Sequence, residues 1–214
     1  MSWRLRGDSD ENAGMLLSTS SALQIPWRAA KARWRLMIAL PLLLIAPAPG
    51  LTSDAGLWLL VDTGDQTLTV MQGAEPVERL ANIAIGRYGA SRAKRRGDNM
   101  TPKGRFRVTR VNHDSDFYRF IGLDYPDVRR ARQAHEAGDI GSTALQRILR
   151  AHARGESPPQ DTALGGHIGI HGLGRGDPQM HETMNWTRGC VALTDRQMDT
   201  LLRWVSTGMA VEIR

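Results

Sequence analysis

The sequence has one cysteine, Cys190, among its 214 residues. A single thiol excludes an intramolecular disulfide and any zinc site that is built on paired cysteines. Aromatic residues are also few, with three phenylalanines, three tyrosines and six tryptophans. No stretch combines them with basic residues in the pattern of RNA-binding motifs, so nucleic acid is not a predicted partner.

A long hydrophobic run is missing as well. The longest, residues 36–46, has eleven residues, whereas a helix needs about 20 to cross a bilayer. It follows four basic residues and precedes Ala-Pro-Ala-Pro-Gly, an arrangement typical of an export signal. We predict that residues 1–50 comprise a disordered N-terminus and this signal, with an uncleaved anchor as the alternative. The domain would then work in the periplasm or cell envelope and meet the membrane only through this signal.

The formal net charge is +6, and half of it belongs to residues 1–50. Residues 55–214 are therefore only mildly basic, and they are long enough for one domain with its own core. The densest basic cluster in this part consists of Arg92, Lys94, Arg95 and Arg96. Such a cluster is typical of a solvated loop, and a contact with an anionic polymer is the alternative.

Alternating and β-branched segments predict a mainly β domain. Residues 57–63 and 67–72 form a hairpin around the turn at 64–66. Further strands are predicted over residues 77–86, 105–111, 117–126, 167–171 and 209–213. The domain therefore has about seven strands.

The period becomes helical over residues 128–137 and 142–153, with Ser142 as N-cap and Gly155 as the stop. This helical insertion precedes the strand at 167–171, where it forms either one wall of a cleft or a surface excursion. Thr194 opens another helix through a capping box. The predicted fold class is therefore α+β, mainly β with a few helices.

Cys190 follows Gly189 directly, and His171 lies nineteen positions upstream. In the strand 167–171, the two isoleucines face the core while His167, Gly169 and His171 share the other face. A lone thiol in an oxidising compartment is a liability, which favours a chemical role for Cys190. The alternative is a buried, inert cysteine.

A cysteine nucleophile needs a base, and His171 is the candidate. The carbonyl of Gly172, or a neighbouring side chain, would orient the second ring nitrogen. The hypothesis requires the His171 ring to lie within hydrogen-bonding reach of the Cys190 sulfur, in an open groove. The N–H groups around Gly189 and Cys190 would then donate to a developing oxyanion.

Residues beside the nucleophile are candidates for substrate binding. Thr187 and Arg188 flank it, and Arg188 would stabilise the thiolate or hold a substrate carboxylate. Trp186 either lines the cleft or simply packs. His167 lines the cleft or is a polar surface residue, since about 13 Å of strand separates it from His171. That distance is too long for one metal ion, so neither a metal site nor a cofactor is predicted.

These motifs resemble the L,D-transpeptidase catalytic domain of the YkuD type. That family has a His-Gly pair, a spacer and Ser/Thr-x-Gly-Cys, which correspond here to His171-Gly172 and to residues 187–190. The Thr-Pro-x-Gly turn at 101–104 and the Asp-Tyr-Pro stretch at 124–126 are also similar, and the resemblance spans residues 57–214. It implies a β-sandwich-like catalytic domain, here with a helical insertion before the active-site strand.

The resemblance also implies an activity on peptidoglycan stem peptides. The cysteine would attack the carbonyl of the third residue of a tetrapeptide donor, release the terminal D-alanine and form a thioester. A diaminopimelate amine, as acceptor, would then resolve the thioester into a crosslink. Cys190 carries over as the nucleophile, His171 as the base, and the Gly172 carbonyl as the group that orients the base. The oligomeric state is not predicted.

Two departures from the family pattern concern the acceptor. Many crosslinking members have His at the position of Arg188, and Arg or Asn at the position of Ala192. A subgroup with Ala at the latter position includes hydrolases that cut links between proteins and peptidoglycan. Amine and water therefore both stay open as acceptors, and a non-catalytic wall-binding module is a third hypothesis.

Overall fold

The computed structural model describes residues 56–214. The predictions for residues 1–50, a disordered N-terminus and an export signal, lie outside the described residues. Within the described part, no helix combines the length and the apolar character that crossing a membrane requires.

One mixed sheet of eight strands dominates this part of the chain, in the order β3-β2-β1-β10-β6-β7-β8-β9. The first and last strands lie side by side in parallel, so the two ends of the domain are hydrogen-bonded to each other. A two-stranded ribbon, β4-β5, lies apart from the sheet. The strands are β1 (Leu57–Asp62), β2 (Thr67–Gln72), β3 (Glu75–Ala81), β4 (Ala90–Ser91), β5 (Thr101–Pro102), β6 (Gly104–Ser115), β7 (Tyr118–Leu123), β8 (Gly169–His171), β9 (Val191–Ala192) and β10 (Ala210–Ile213).

The predicted N-terminal hairpin is confirmed, and it shows why these residues form strands. Leu59 pairs with Val70 and Val61 pairs with Leu68, and all four side chains are fully buried. β-Branched and aliphatic side chains at alternate positions give the sheet a continuous apolar face. The mainly β class with a few helices is therefore confirmed.

Four helices lie in the described part: α1 (Val128–Glu136), α2 (Ser142–Ala153), α3 (Pro178–Thr183) and α4 (Asp195–Leu202). The capping box at Thr194 is present, with Thr194 and Gln197 bonding each other's backbone N–H groups. The N-cap of α2 is Gly141 rather than the predicted Ser142, which is already the first helical residue. Helix α3 was not predicted, because six residues are too few for an apolar period to show.

The strand predictions differ from the structure at several ends. The third strand stops at Ala81, because Asn82 adopts a left-handed conformation with φ of +56°. His167, with φ of +55°, likewise lies outside β8, which begins at Gly169. The described residues contain ten strands rather than about seven, since three two-residue strands were too short to predict.

The basic cluster at residues 92–96 is not simply a solvated loop. Lys94 is 3% exposed, and its ammonium group lies 2.7 Å from a carboxylate oxygen of Asp98. The Lys94 carbonyl accepts hydrogen bonds from the Tyr125 hydroxyl, at 3.3 Å, and from Arg130 Nε, at 3.1 Å. Side chains from distant parts of the chain therefore fasten this loop to the core.

Replacement of Tyr125 by phenylalanine tests this fastening. The Tyr125 ring is fully buried, and its hydroxyl also donates to the Leu164 carbonyl at 2.9 Å. Tyr125→Phe leaves that buried carbonyl without its partner, so we expect a loss of about 1–2 kcal/mol in the free energy of unfolding, measured with urea. The control is Tyr88→Phe, at a residue 67% exposed, which should cost almost nothing. Equal stability of the two variants would contradict the assignment.

Candidate active site

Strands β8 and β9 run parallel and bring the two ends of the predicted site together. Ile170 pairs with Val191 and His171 with Ala192, and Cys190 directly precedes β9. His171 and Cys190 consequently line the same open cavity, of about 640 Å³. Gly169 is required beneath this site, since a Cβ there would lie 2.4 Å from the Ile121 carbonyl oxygen.

The His171 ring has a defined tautomer. Its Nδ1 lies 2.7 Å from the Gly172 carbonyl oxygen. A carbonyl can only accept a hydrogen bond, so Nδ1 carries the proton and Nε2 has a free lone pair. Burial lowers the pKa of His171, and the bond to Gly172 only partly opposes this shift. The imidazole is therefore neutral at pH 7, as a general base must be.

Aromatic rings surround the imidazole. The centroid of the Phe117 ring lies 4.4 Å from that of His171, and the Trp186 ring meets it edge-on at 5.8 Å. The Phe120 ring lies nearly parallel to the imidazole at 6.4 Å. Trp186 thus both lines the cavity and packs against His171, and its indole N–H lies 3.4 Å from His181 Nδ1.

The turn that carries Cys190 is held by Thr187. The Thr187 hydroxyl donates to the Cys190 carbonyl at 2.7 Å and accepts from the Gly189 N–H at 3.1 Å. Gly189 has φ of +129°, and a Cβ there would lie 2.7 Å from the Met100 carbonyl oxygen. The Gly189 N–H is already bonded to the Thr187 hydroxyl. Of the two predicted oxyanion donors, the N–H of Cys190 is therefore the one that remains.

The thiol of Cys190 bonds a backbone carbonyl rather than the His171 ring that we expected as its partner. Cys190 Sγ lies 3.4 Å from the His167 carbonyl oxygen, and no hydrogen bond joins it to the His171 ring among the described residues. The left-handed backbone at His167 belongs to the segment that places this acceptor beside the sulfur. Hydrogen bonds between a nucleophile and its base often tighten only when substrate is bound.

Burial also raises the pKa of the Cys190 thiol, to about 11. The side chain is half-buried, and a backbone hydrogen bond and Lys94 only partly oppose the effect of burial. A raised thiol pKa and a lowered imidazole pKa both favour the uncharged pair over a thiolate–imidazolium pair.

A second cavity, of about 530 Å³, adjoins the first and is cationic. His167 and the exposed Arg188 line both cavities, so the two meet beside the nucleophile. Arg96 adds positive charge to the second one, whereas the charge of Lys94, which also lines it, is compensated by Asp98. Asp161 also lines it, but that carboxylate lies 3.6 Å from the guanidinium of Arg147. This cavity is suited to a carboxylate.

The helical insertion takes no part in the nucleophile's cavity. None of residues 128–153 lines it, and the wall beside Phe117 and Phe120 comes from β6, β7 and the turn between them. His152 and Arg129 instead line a separate cavity of about 700 Å³ against β6 and β10. Within residues 56–214, no three His, Cys, Asp or Glu side chains are grouped as metal ligands would be.

Comparison with known proteins places this site in a family. The model of the L,D-transpeptidase catalytic domain family, YkuD, matches residues 56–213. The chain belongs to this family. No curated protein is similar enough in sequence to count as a match.

Two solved structures of one bacterial protein share the fold. The helical cell shape determining protein Pgp2 from Campylobacter jejuni superimposes with a TM-score of 0.50 at 20% identity, over 76% of this chain and 48% of that one. Its K307A mutant gives a TM-score of 0.51 at the same identity and coverage. The C442S mutant of the Enterococcus faecium L,D-transpeptidase has 13% identity, covers 74% of this chain and 50% of that one, and has a TM-score of 0.43. The chain thus spans about half the length of these structures.

Several residues of this candidate site escaped sequence reasoning. The burial of Lys94 is not evident from the sequence, because exposed arginines surround it. The aspartate four residues later does indicate an ion pair. Phe117 and Phe120 fall in the predicted strand over residues 117–126, and nothing in that pattern indicates that they border a site. Arg87 and Arg110, which also line the cavity, lie in unrelated segments that only the fold brings together.

The raised thiol pKa has a measurable consequence. We expect the rate at which iodoacetamide alkylates Cys190 to rise with pH from 7 to 9.5 without levelling off, because the folded thiol titrates near pH 11. In urea the alkylation rate of the same thiol should level off above its ordinary pKa of about 8.5. A plateau below pH 8 in the folded protein would instead reveal a preformed thiolate–imidazolium pair. Cys190→Ala controls for reaction elsewhere.

Proposed function

We propose that this protein is an exported L,D-transpeptidase that acts on peptidoglycan stem peptides and transfers an acyl group from Cys190 to an amine. One observation carries the proposal. The thiol of Cys190 and the neutral imidazole of His171 line one open cavity, with the Gly172 carbonyl fixing the tautomer that leaves Nε2 as the base.

The proposed reaction has two proton-coupled stages. In the first, Sγ attacks a peptide carbonyl while His171 Nε2 takes the thiol proton, and the Cys190 N–H donates to the oxyanion. The tetrahedral intermediate then expels the leaving amine, which takes the proton from the imidazolium, and a thioester remains. In the second stage, His171 takes a proton from the acceptor amine, which attacks the thioester. The proton returns to sulfur as the new amide forms.

The two cavities suit different parts of a peptide. Aromatic rings line the space around His171, where aliphatic groups would lose contact with water. Arg96 and Arg188 supply charge for carboxylates in the adjoining space. This division supports a substrate such as the tetrapeptide donor, which is peptidic and anionic. The diaminopimelate amine is the proposed acceptor.

Hydrolysis of the same acyl-enzyme is the second candidate, and the position of Ala192 favours it. Ala192 is 0% exposed and pairs through its backbone with Ala84. Its side chain therefore offers nothing to an acceptor amine, and water is the competitor for the thioester. In that case the protein would cut stem peptides or links between proteins and peptidoglycan.

The place of action is part of the proposal. The basic and apolar segments of residues 28–50 have the order of an export signal, and peptidoglycan lies outside the cytoplasmic membrane. We therefore place the enzyme in the periplasm or cell envelope.

Incubation of the purified protein with tetrapeptide muropeptides separates these hypotheses. We expect crosslinked dimers and released terminal D-alanine, identified by mass spectrometry, and no product from Cys190→Ala. His171→Ala should be slower by about 100-fold or more, since it removes the general base. Cleaved monomers without dimers would favour the hydrolase.

A protein that produces neither product, and that no carbapenem acylates at Cys190, would contradict both enzymatic hypotheses. That outcome would leave the non-catalytic wall-binding module. Arg154→Gln, at an exposed arginine paired with Glu156, serves as a control variant that should react as the natural protein does.

A further inference from the structure

A single peptide unit beside the candidate base is hydrogen-bonded at both of its ends. The carbonyl oxygen of Gly172 accepts from His171 Nδ1 at 2.7 Å. The N–H of the same unit belongs to Leu173, and it donates to Asp195 Oδ1, also at 2.7 Å. The carboxylate oxygen and the imidazole are therefore connected through one polarisable amide.

The position of Asp195 is fixed from several directions. It is the first residue of α4, and the capping box formed by Thr194 and Gln197 holds this end of the helix. The same carboxylate oxygen accepts a second bond, from the Gly174 N–H at 3.1 Å. Gly172 itself lies against it, since a Cβ there would come within 2.5 Å of Asp195 Oδ1.

We propose that Asp195 is a positioning residue for the base, holding the Gly172–Leu173 peptide unit against His171 and favouring positive charge on its imidazole. A carboxylate that accepts the N–H of an amide increases the negative charge on its carbonyl oxygen, because hydrogen bonds in a chain polarise one another. That oxygen faces Nδ1–H. When Nε2 takes the thiol proton, the resulting imidazolium is stabilised by a negative charge two hydrogen bonds away.

The charges around the His171 imidazole show why the connection to Asp195 matters. The other titratable side chains near it are Cys190, His167 and His181, and the arginines that line its cavity are Arg87, Arg110 and Arg188. No carboxylate lines that cavity in the described part of the chain. Burial and the neighbouring His181 oppose protonation of His171, so the group that favours its protonation is the Gly172–Leu173 peptide unit behind the ring.

Replacement of Asp195 by asparagine tests the charge apart from the geometry. An asparagine amide oxygen still accepts from the N–H groups of Leu173 and Gly174, so the turn is kept while the negative charge is lost. We expect Asp195→Asn to lower the pKa of His171 by about 0.5 to 1, measured by NMR titration of its ring, because a nearby carboxylate favours the imidazolium. Asp199→Asn, one turn along α4 where the exposed carboxylate bonds the Tyr118 hydroxyl, is the matched control and should leave it unchanged.

The inference rests on the proposed function for its catalytic meaning, but the titration needs no substrate. If the protein turns over tetrapeptides, Asp195→Asn should also move the acid limb of kcat/KM to lower pH and reduce the plateau about tenfold, while Asp199→Asn should do neither. If no turnover is measured, the proposed function is wrong, and the titration alone decides the role of Asp195.

An unchanged pKa of His171 in Asp195→Asn, or an equal shift in Asp199→Asn, would overturn the inference. If Asp195→Asn does not fold, an NMR titration of the natural protein tests the inference instead. The side-chain carboxylate carbon of Asp195 should then change its chemical shift with the same midpoint as the His171 ring, because the Gly172–Leu173 peptide unit connects the two. An Asp195 carboxylate signal that does not follow the titration would also overturn the inference.

Discussion

The parallel pairing of β8 with β9 is the constraint on which the site depends. Strand β8, of three residues, ends at His171, and Cys190, nineteen positions later, directly precedes β9, of two residues. Their register alone decides that a base and a thiol line the same cavity. Such short strands have little stability of their own, so the pairing relies on β7 on one side and on the bridge between Ala84 and Ala192 on the other.

Close backbone contacts keep this pairing in place and explain the glycines around it. Gly169 lies against β7, Gly172 against Asp195 and Gly189 against Met100, each with no room for a Cβ atom. The buried ion pair of Lys94 and Asp98 lies beneath the last of these contacts, with Lys94 Cε 3.2 Å from the place of a Cβ on Gly189. Packing on three sides therefore shapes the turn that carries the nucleophile.

The sequence predicted much of this arrangement because the relevant signals are local. The hairpin of β1 and β2, the helices α1 and α2 and the capping box at Thr194 all follow from periodicity and capping within a few residues. The nucleophile and the base were found in the same way, from glycine beside cysteine and histidine. Their assignment to catalysis stays a prediction, as does the export signal.

What could not be predicted depends on contacts between distant segments. Lys94 is buried because Tyr125 and Arg130 bond its carbonyl across more than thirty residues, and nothing near it in sequence indicates this. The thiol bonds the His167 carbonyl because a left-handed residue interrupts an otherwise regular strand pattern. Asp195 was interpreted as part of a helix start, since its bond to Leu173 exists only after β8 and α4 pack together.

The central claim is that Cys190 becomes acylated with His171 as the base, and intact-mass spectrometry of acid-quenched reactions tests it most directly. The protein mixed with a tetrapeptide muropeptide should show an adduct on Cys190 whose mass is that of the donor minus one molecule of free alanine. Hydroxylamine should remove this adduct, as it does a thioester, and His171→Ala should form it far more slowly. Product formation without any adduct, or an adduct that forms equally fast without His171, would contradict the account.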